Sequence, residues 1–289
     1  MCDGPARMTP DPAVLERLLR LLHERTGFDL TGYRLAGLSR RAHQRAALAG
    51  YDDLADYLPL VADDDQEAAV LLDHLLVLVS GWFRDPHVWQ VVRGDVLPSL
   101  AGRDGARGIR AWVAGCGEGQ EVWSLGSCLA GAEAAGRLPS WSVLATDVDA
   151  QALRRVQDAR YPTGHVPPGW QDVIEPYLEP RQGHWQVVPA LTSRVSVGRH
   201  DVRDAPPEDA ATPFDLVMCR NVLMYLDAAV QVRVLDGLLA SLRPGGVLVL
   251  GQAELPIDRR DVLVPVDSAA RVYRSIGAPV PTSRPSLPA

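Results

Sequence analysis

The sequence predicts an α/β protein in which an all-helical front section leads into an open, parallel sheet. Three observations predict it. First, the run Ala111–Leu125 passes from apolar residues, through a glycine at every second position from Gly115 to Gly119, into a helical pattern. Strand, glycine turn and helix form the opening unit of a nucleotide-type site, because residues without a Cβ let backbone approach a ligand. Second, short apolar runs then alternate with helix-length segments, as parallel strands joined by right-handed crossovers require. Third, amphipathic segments with helical spacing fill the chain ahead of residue 85, without strand patterning.

In chain order, residues 1–10 read as a loose tail. The next segment, 12–25, carries an apolar stripe at Val14, Leu15, Leu18, Leu19, Leu21 and Leu22, with Asp11 as a cap and Pro12 at the first helical position. A second helix spans 33–48. Its Arg34, Arg41 and Arg45 fall near one face, with Arg40 beside them, and this face reads either as a solvated surface or as a docking surface for an acidic partner. Residues 51–61 and 66–79 add two helices around the polar break Asp63-Asp64-Asp65. The predicted division is 1–85 for the helical domain, 86–276 for the α/β domain and 277–289 for a Pro/Ser-rich disordered tail.

Within the α/β domain, 86–100 reads as a helical approach and 109–114 as the first strand. A helix over 120–135, a strand over 141–146 ending at Asp147 and a helix over 150–159 follow. Crowded prolines interrupt the rhythm over 161–197, a small β-rich insertion in which 183–188 and 194–197 read as short strands around a turn. The rhythm resumes with a strand over 214–219, a helix over 228–242, a sharp turn at Arg243–Gly246 and a strand over 247–250. Residues 270–274 read as the last strand.

Glycine spacing selects among ligands. A dinucleotide site wants G-x-G-x-x-G, whereas this loop is G-x-G-x-G, and no G-x-x-x-x-G-K-[ST] phosphate loop is present. A ligand with an adenosine and no pyrophosphate fits better, and S-adenosylmethionine is the common one. The formal net charge of −7 argues against nucleic acid or an anionic membrane as the main partner. All of the basic residues are Arg, a compositional bias with no mechanistic reading. Cys2, Cys116, Cys128 and Cys219 lack metal-ligand spacing and the histidines are scattered, so free thiols, no metal site and a cytoplasmic location are expected.

Five blocks then carry a family resemblance: Gly115-Cys116-x-x-Gly119-x-Glu121-x-x-Ser124, Ala145–Asp149, Cys219-Arg220-Asn221-Val222-Leu223-Met224-Tyr225, Pro244-Gly245-Gly246 and Gly251-Gln252-Ala253-Glu254. In that order they resemble the CheR-type chemoreceptor glutamate methyltransferases, over about residues 15–274. The resemblance implies a class I S-adenosylmethionine methyltransferase domain with a Rossmann-like sheet behind an all-helical module, with S-adenosylhomocysteine as product. It implies that Asp147 accepts the ribose hydroxyls and that Gly115, Gly117 and Gly119 hold the cofactor by backbone. Glu121 meets the amino group of its methionine part, and Asp201 and Val202 flank the adenine. Ser80 and Arg84 come from a segment similar to the family's T-x-F-F-R-[DE], where Arg84 holds the acceptor carboxylate. Arg220 and Asn221 form the floor, and Tyr225 lies near the transferring methyl.

The chain departs from the family pattern at Leu78, where an Asn is usual, at Trp82 for a Phe, at Ser80 for a Thr and at Gln120 for a second glutamate. The acceptor implied is a receptor-like helical protein, docked through the basic helix. A small carboxylic acid, or a non-catalytic cofactor-binding module, are the alternatives. In some family members the β insertion binds a receptor tail peptide; this copy is not distinctive enough to claim that.

Overall fold

The structure is a computed structural model that describes residues 12–76, 80–101, 108–164, 166–207, 212–257, 259 and 261–277. The departure at Leu78, the cap at Asp11 and both predicted tails (all but Gly277) therefore lie outside the described residues. The chain falls into two compact units, residues 1–78 with 225–227, and residues 79–224 with 228–289.

The helical unit contains α1 (Pro12–Thr26), α2 (Leu35–Leu48), α3 (Leu54–Asp63) and α4 (Asp65–Leu76). The apolar stripe of α1 is buried at Leu15, Leu18 and Leu22, against a core that includes Leu38, Tyr57, Leu71 and Leu75. Asp53 caps α3 by accepting from the Ala55 amide at 2.8 Å. The short stretch Tyr225–Asp227 belongs to this unit. Tyr33 pairs with Leu226 in an isolated antiparallel bridge, and the Asp227 amide donates to the Gly32 carbonyl at 2.8 Å.

The arginines of α2 are mostly structural. Arg34 donates through Nε to the Leu226 carbonyl at 3.0 Å. Arg41 is buried, its guanidinium 5.2 Å from the centre of the Tyr225 ring. Arg45 donates to both oxygens of Glu67, at 2.7 and 2.5 Å, and the Tyr57 hydroxyl joins the same carboxylate. Arg41 and Arg45 are thus held within this unit, whereas Arg34 and Arg40 are exposed, so the three arginines that share a face by spacing do not share one environment. Apolar spacing on α2 is weak, which is why the sequence left the inward face undecided.

Arg45 and the Tyr57 hydroxyl hold Glu67 below the usual carboxylate range, against a desolvation that pushes the other way. A folded pKa below the unfolded value of ~4.3 stabilises the fold in full above that value. The contribution is lost as pH falls through the folded pKa. Glu67→Gln is expected to cost about 2–3 kcal/mol at neutral pH, the range for a charge-assisted pair whose partner is left behind. Urea unfolding of wild type and variant should converge once pH drops below the carboxylate range.

The second unit opens on one helical rod, α5 (Pro86–Val91) and α6 (Leu97–Ala101), joined by a π-helical turn over Val92–Val96. Then come β1 (Ile109–Ala114), α7 (Gln120–Ala134), β2 (Trp141–Asp147), α8 (Ala150–Asp158) and β3 (Arg160–Pro162). They are followed by α9 (Gln171–Ile174), β4 (Leu178–Arg181), β5 (His184–Val187), α10 (Pro189–Thr192) and β6 (Val195–Arg199). The chain ends with β7 (Phe214–Cys219), α11 (Ala228–Ala240), β8 (Leu242–Leu250), β9 (Leu263–Asp267) and β10 (Val272–Ser275). The main sheet has seven strands in the order β6-β2-β1-β7-β8-β10-β9. From β6 to β8 every pairing is parallel, while β10 and β9 return antiparallel.

Three local readings change. Residues 195–199 belong to the main sheet rather than the insertion, because Val143 pairs in parallel with Val195 and Asp147 with Arg199. The small sheet is β3-β5-β4 instead. Arg243–Gly246 is not a sharp turn but the irregular start of β8, with a register shift between Phe214 and Leu216 and Gly245 at φ 77°. Finally, β9 carried no strand signal, since Pro265 interrupts it and its outer side has no partner strand among the described residues.

Candidate functional site

Because β6, β2, β1, β7 and β8 run parallel, their carboxyl ends meet at one edge of the sheet. Strand order reverses there: the chain goes from β1 to β2 on one side and returns to β7 on the other. Open α/β sheets bind ligands at such a switch point. The segments that leave those ends carry nearly all of the sequence-predicted residues: Gly115–Glu121 after β1, Asp147–Asp149 after β2, Asp201–Val202 after β6 and Arg220–Asn221 after β7.

The glycine loop is built for close approach. Gly115, Gly117 and Gly119 all have positive φ, at 70°, 52° and 95°. A Cβ on Gly115 would lie 2.4 Å from Val222 Cγ2, and one on Gly119 would lie 2.7 Å from the Tyr161 hydroxyl, so these two make room for the protein's own side chains. Gly117 differs: a Cβ there would meet only Ser80 Cβ, in ordinary contact at 3.9 Å. Asp147, at the end of β2, locks the loop. Its oxygens accept from the Gly117 amide at 2.8 Å and the Asp149 amide at 3.0 Å. Burial pushes the Asp147 carboxyl above the usual range, and those amides pull it back.

Arg220 is the centre of the charge at this edge. Its side chain is fully buried, and it donates to Glu121 at 2.6 Å, to Asp85 at 2.8 Å and to the Arg84 carbonyl at 3.0 Å. Burial raises Glu121, and the Arg220 and Arg84 guanidinium groups oppose that rise. The Ser80–Asp85 segment is kept in place by the Phe83 amide, which donates to Ser124 Oγ at 3.1 Å, and by Phe83 stacking on Trp170 at 4.5 Å. Trp82 packs edge-on to Tyr161 at 5.1 Å.

Strain concentrates here. Phe83, Asp85 and Asn221 have φ of 46°, 58° and 60°, in the left-handed region that side chains avoid unless their surroundings impose it. The Asp201 carboxylate is taken by Arg203, whose Nη2 lies at 2.6 Å and whose amide donates at 2.9 Å. Tyr225 belongs to the helical unit, where its ring carries the Arg41 contact.

Sequence reasoning gave no role to Asp85, Asp149 or Glu254. Asp85 needed the Arg220 contact to be noticed. Asp149 caps α8 with one oxygen, at 2.7 Å from the Gln151 amide. Its other oxygen, like Gln120 Oε1, is buried without a hydrogen-bond partner among the described residues. Glu254 was visible only as the end of a Gly-Gln-Ala-Glu block. The Cys116 and Cys219 thiols are pushed well up by burial, which removes them as nucleophiles. Among the described residues, no group of His, Cys, Asp or Glu could hold a metal ion, and no helix is long and apolar enough to cross a membrane.

Residues 79–270 match the family described as CheR methyltransferase, SAM binding domain, and residues 13–76 match its all-alpha domain. The chain belongs to the CheR methyltransferase family. The cofactor of its larger domain is S-adenosylmethionine. The space beside Gly117 and the unpartnered oxygens of Asp149 and Gln120 fit such a ligand at the CheR sheet edge. Among relatives, the chemotaxis protein methyltransferase Cher2 of Pseudomonas putida is 32% identical over 60% of this chain and 64% of that protein. A chemotaxis protein methyltransferase of Listeria innocua is 28% identical over 84% of this chain and 90% of its own length. An uncharacterised 104.1 kDa protein of Rhodobacter capsulatus is 27% identical over 96% of this chain, which spans only 29% of that protein. Among solved structures, an O-methyltransferase family protein from Burkholderia thailandensis aligns with 86% of this CheR-family chain and 55% of its own, with 16% identity and a TM-score of 0.37.

Proposed function

We propose that this protein transfers the methyl group of S-adenosylmethionine to a carboxylate, and that the carboxylate is a glutamate side chain of a chemoreceptor-like protein. The observation that carries the reading is the strained Ser80–Asp85 segment. Arg220 holds its Arg84 carbonyl and Asp85 carboxylate together with Glu121, which places the start of the Arg84 side chain at the same cluster. Asp147 would hold the ribose, Glu121 the amino group, and the Gly117 and Val202 backbone the adenosine. When bound, the cofactor supplies an electrophilic methyl group.

The acceptor needs no general base, because a carboxylate with an unperturbed pKa of ~4.3 is ionised at neutral pH. The chain has to orient the anion and strip it of water, and orientation alone is worth ~7–11 kcal/mol of a barrier. Arg84 suits that work, since a planar guanidinium takes a carboxylate through two parallel hydrogen bonds. A chemotaxis acceptor is supported by the relatives that are chemotaxis protein methyltransferases, and glutamate by the resemblance carried in the Arg220–Tyr225 block.

The test is methylation with tritiated S-adenosylmethionine of receptor cytoplasmic fragments, beside a panel of small carboxylic acids, followed by mild alkali. Volatile methanol released from the receptor fragment is the expected result. Label on a small acid alone would move the acceptor to a metabolite, and alkali-stable label would overturn ester formation.

A further inference from the structure

Glu254 is a buried acid, 3% exposed, and among the described residues its carboxylate is held by backbone rather than by a cation. Three backbone amides converge on its carboxylate instead. Oε2 accepts from Asn221 at 3.0 Å and from Gly251 at 2.7 Å, and Oε1 accepts from Met224 at 3.2 Å. The Glu254 amide closes the ring by donating to the Gly251 carbonyl at 2.9 Å. One side chain beyond β8 thus pins both ends of the turn that leaves β7.

That turn needs pinning. Asn221 sits at φ 60°, in the sparsely populated left-handed region that Asn tolerates better than most residues. The residue before it is Arg220, whose buried guanidinium bridges Glu121 and Asp85. Gly251 belongs to the same device although its φ is ordinary. A Cβ there would lie 2.7 Å from the Asn221 amide nitrogen and 2.8 Å from Glu254 Oε2. The Gly-Gln-Ala-Glu block is therefore one unit, in which Gly251 clears the space and Glu254 fills it with acceptors.

We propose that Glu254 is a positioning residue of this site: its carboxylate holds the Arg220–Met224 turn in the strained shape that aims Arg220 at Glu121 and Asp85. Charge matters as well as shape. A carboxylate accepts on both oxygens, whereas a glutamine in the same place offers one acceptor and turns an N–H toward an N–H. Gly117 and Asp147, which follow β1 and end β2, are tied to each other by the Gly117 amide and not by the Glu254 carboxylate. Loosening the turn therefore disturbs first the Arg220 cluster with Glu121 and Asp85.

The inference rests on the proposed methyl transfer only in its turnover readout. The experiment compares wild type, Glu254→Gln, Gly251→Ala and the neighbouring control Gln252→Ala in the full chain. Hydrogen exchange of the 220–224 amides is read by mass spectrometry, with melting temperature, S-adenosylhomocysteine affinity and, on the best acceptor, kcat and KM. In Glu254→Gln and Gly251→Ala, protection over 220–224 is expected to fall at least tenfold. Product affinity should fall several-fold, because Arg220 holds the Glu121 proposed to meet the amino group, and kcat should fall more, about a hundredfold. Gln252→Ala should match wild type throughout.

Unchanged protection over 220–224 in both variants would overturn the proposal, and so would loss of protection spread evenly through the chain. If Glu254→Gln fails to fold, Gly251→Ala decides alone. A wild type that turns over no carboxylate would sink the functional reading, while the exchange result would still decide the role of Glu254.

Discussion

Asp147→Asn is expected to weaken S-adenosylhomocysteine binding by about a hundredfold to a thousandfold, as measured by titration calorimetry. Two losses combine. A carboxylate that accepts ribose hydroxyls contributes about 1.5–3 kcal/mol for each charge-assisted hydrogen bond, and each 1.4 kcal/mol is a factor of ten in affinity. The second loss is structural. Both Asp147 oxygens already accept from backbone amides, of Gly117 and Asp149. An asparagine has one acceptor oxygen, so its amide end would face one of those N–H groups and push the glycine loop off its path. Asp147→Glu keeps the charge but moves it outward by a methylene, and should also bind weakly. An unchanged affinity in Asp147→Asn would mean that this carboxylate serves only the loop, and that the cofactor lies elsewhere.

Arg84→Ala separates binding from transfer. The backbone carbonyl of Arg84 holds the Trp89 indole at 2.9 Å and the Arg220 guanidinium at 3.0 Å. Truncating the side chain leaves both contacts in place, so the fold and the cofactor edge should survive. Loss of the guanidinium removes the group that orients the acceptor anion. kcat/KM should drop by about 10²–10³, the usual effect of deleting one preorganised donor, while product affinity changes less than about threefold. Arg84→Lys restores charge without the planar fork and should recover only part of the rate. Equal loss of binding and transfer in Arg84→Ala would place this residue on the cofactor instead of the acceptor.

Much of the candidate site was legible because it is written in short, contiguous segments. The glycine loop, the acid at the end of β2 and the Arg220-Asn221 pair each follow a strand, and strand ends in a parallel sheet share an edge. Legibility failed where a residue's partner is remote in the chain. Asp85 and Arg220 are separated by 135 positions, and Glu254 lies 33 from Asn221. The arginines of α2 show the same limit. Three of them share a face, which is periodicity, but whether that face meets solvent or Glu67 depends on where α4 packs.

Residue order alone determined the class of fold, the sequence of strands and helices around the loop, and the exclusion of a dinucleotide, since each follows from local spacing and from which residues tolerate a turn. Three-dimensional packing alone decided that Val195–Arg199 pairs with β2, that Arg41 and Arg45 are spent inside the helical unit, and that Glu254 gathers three amides around Asn221. Those outcomes depend on which distant groups compete for the same hydrogen bonds and the same buried space, and no local pattern records that competition.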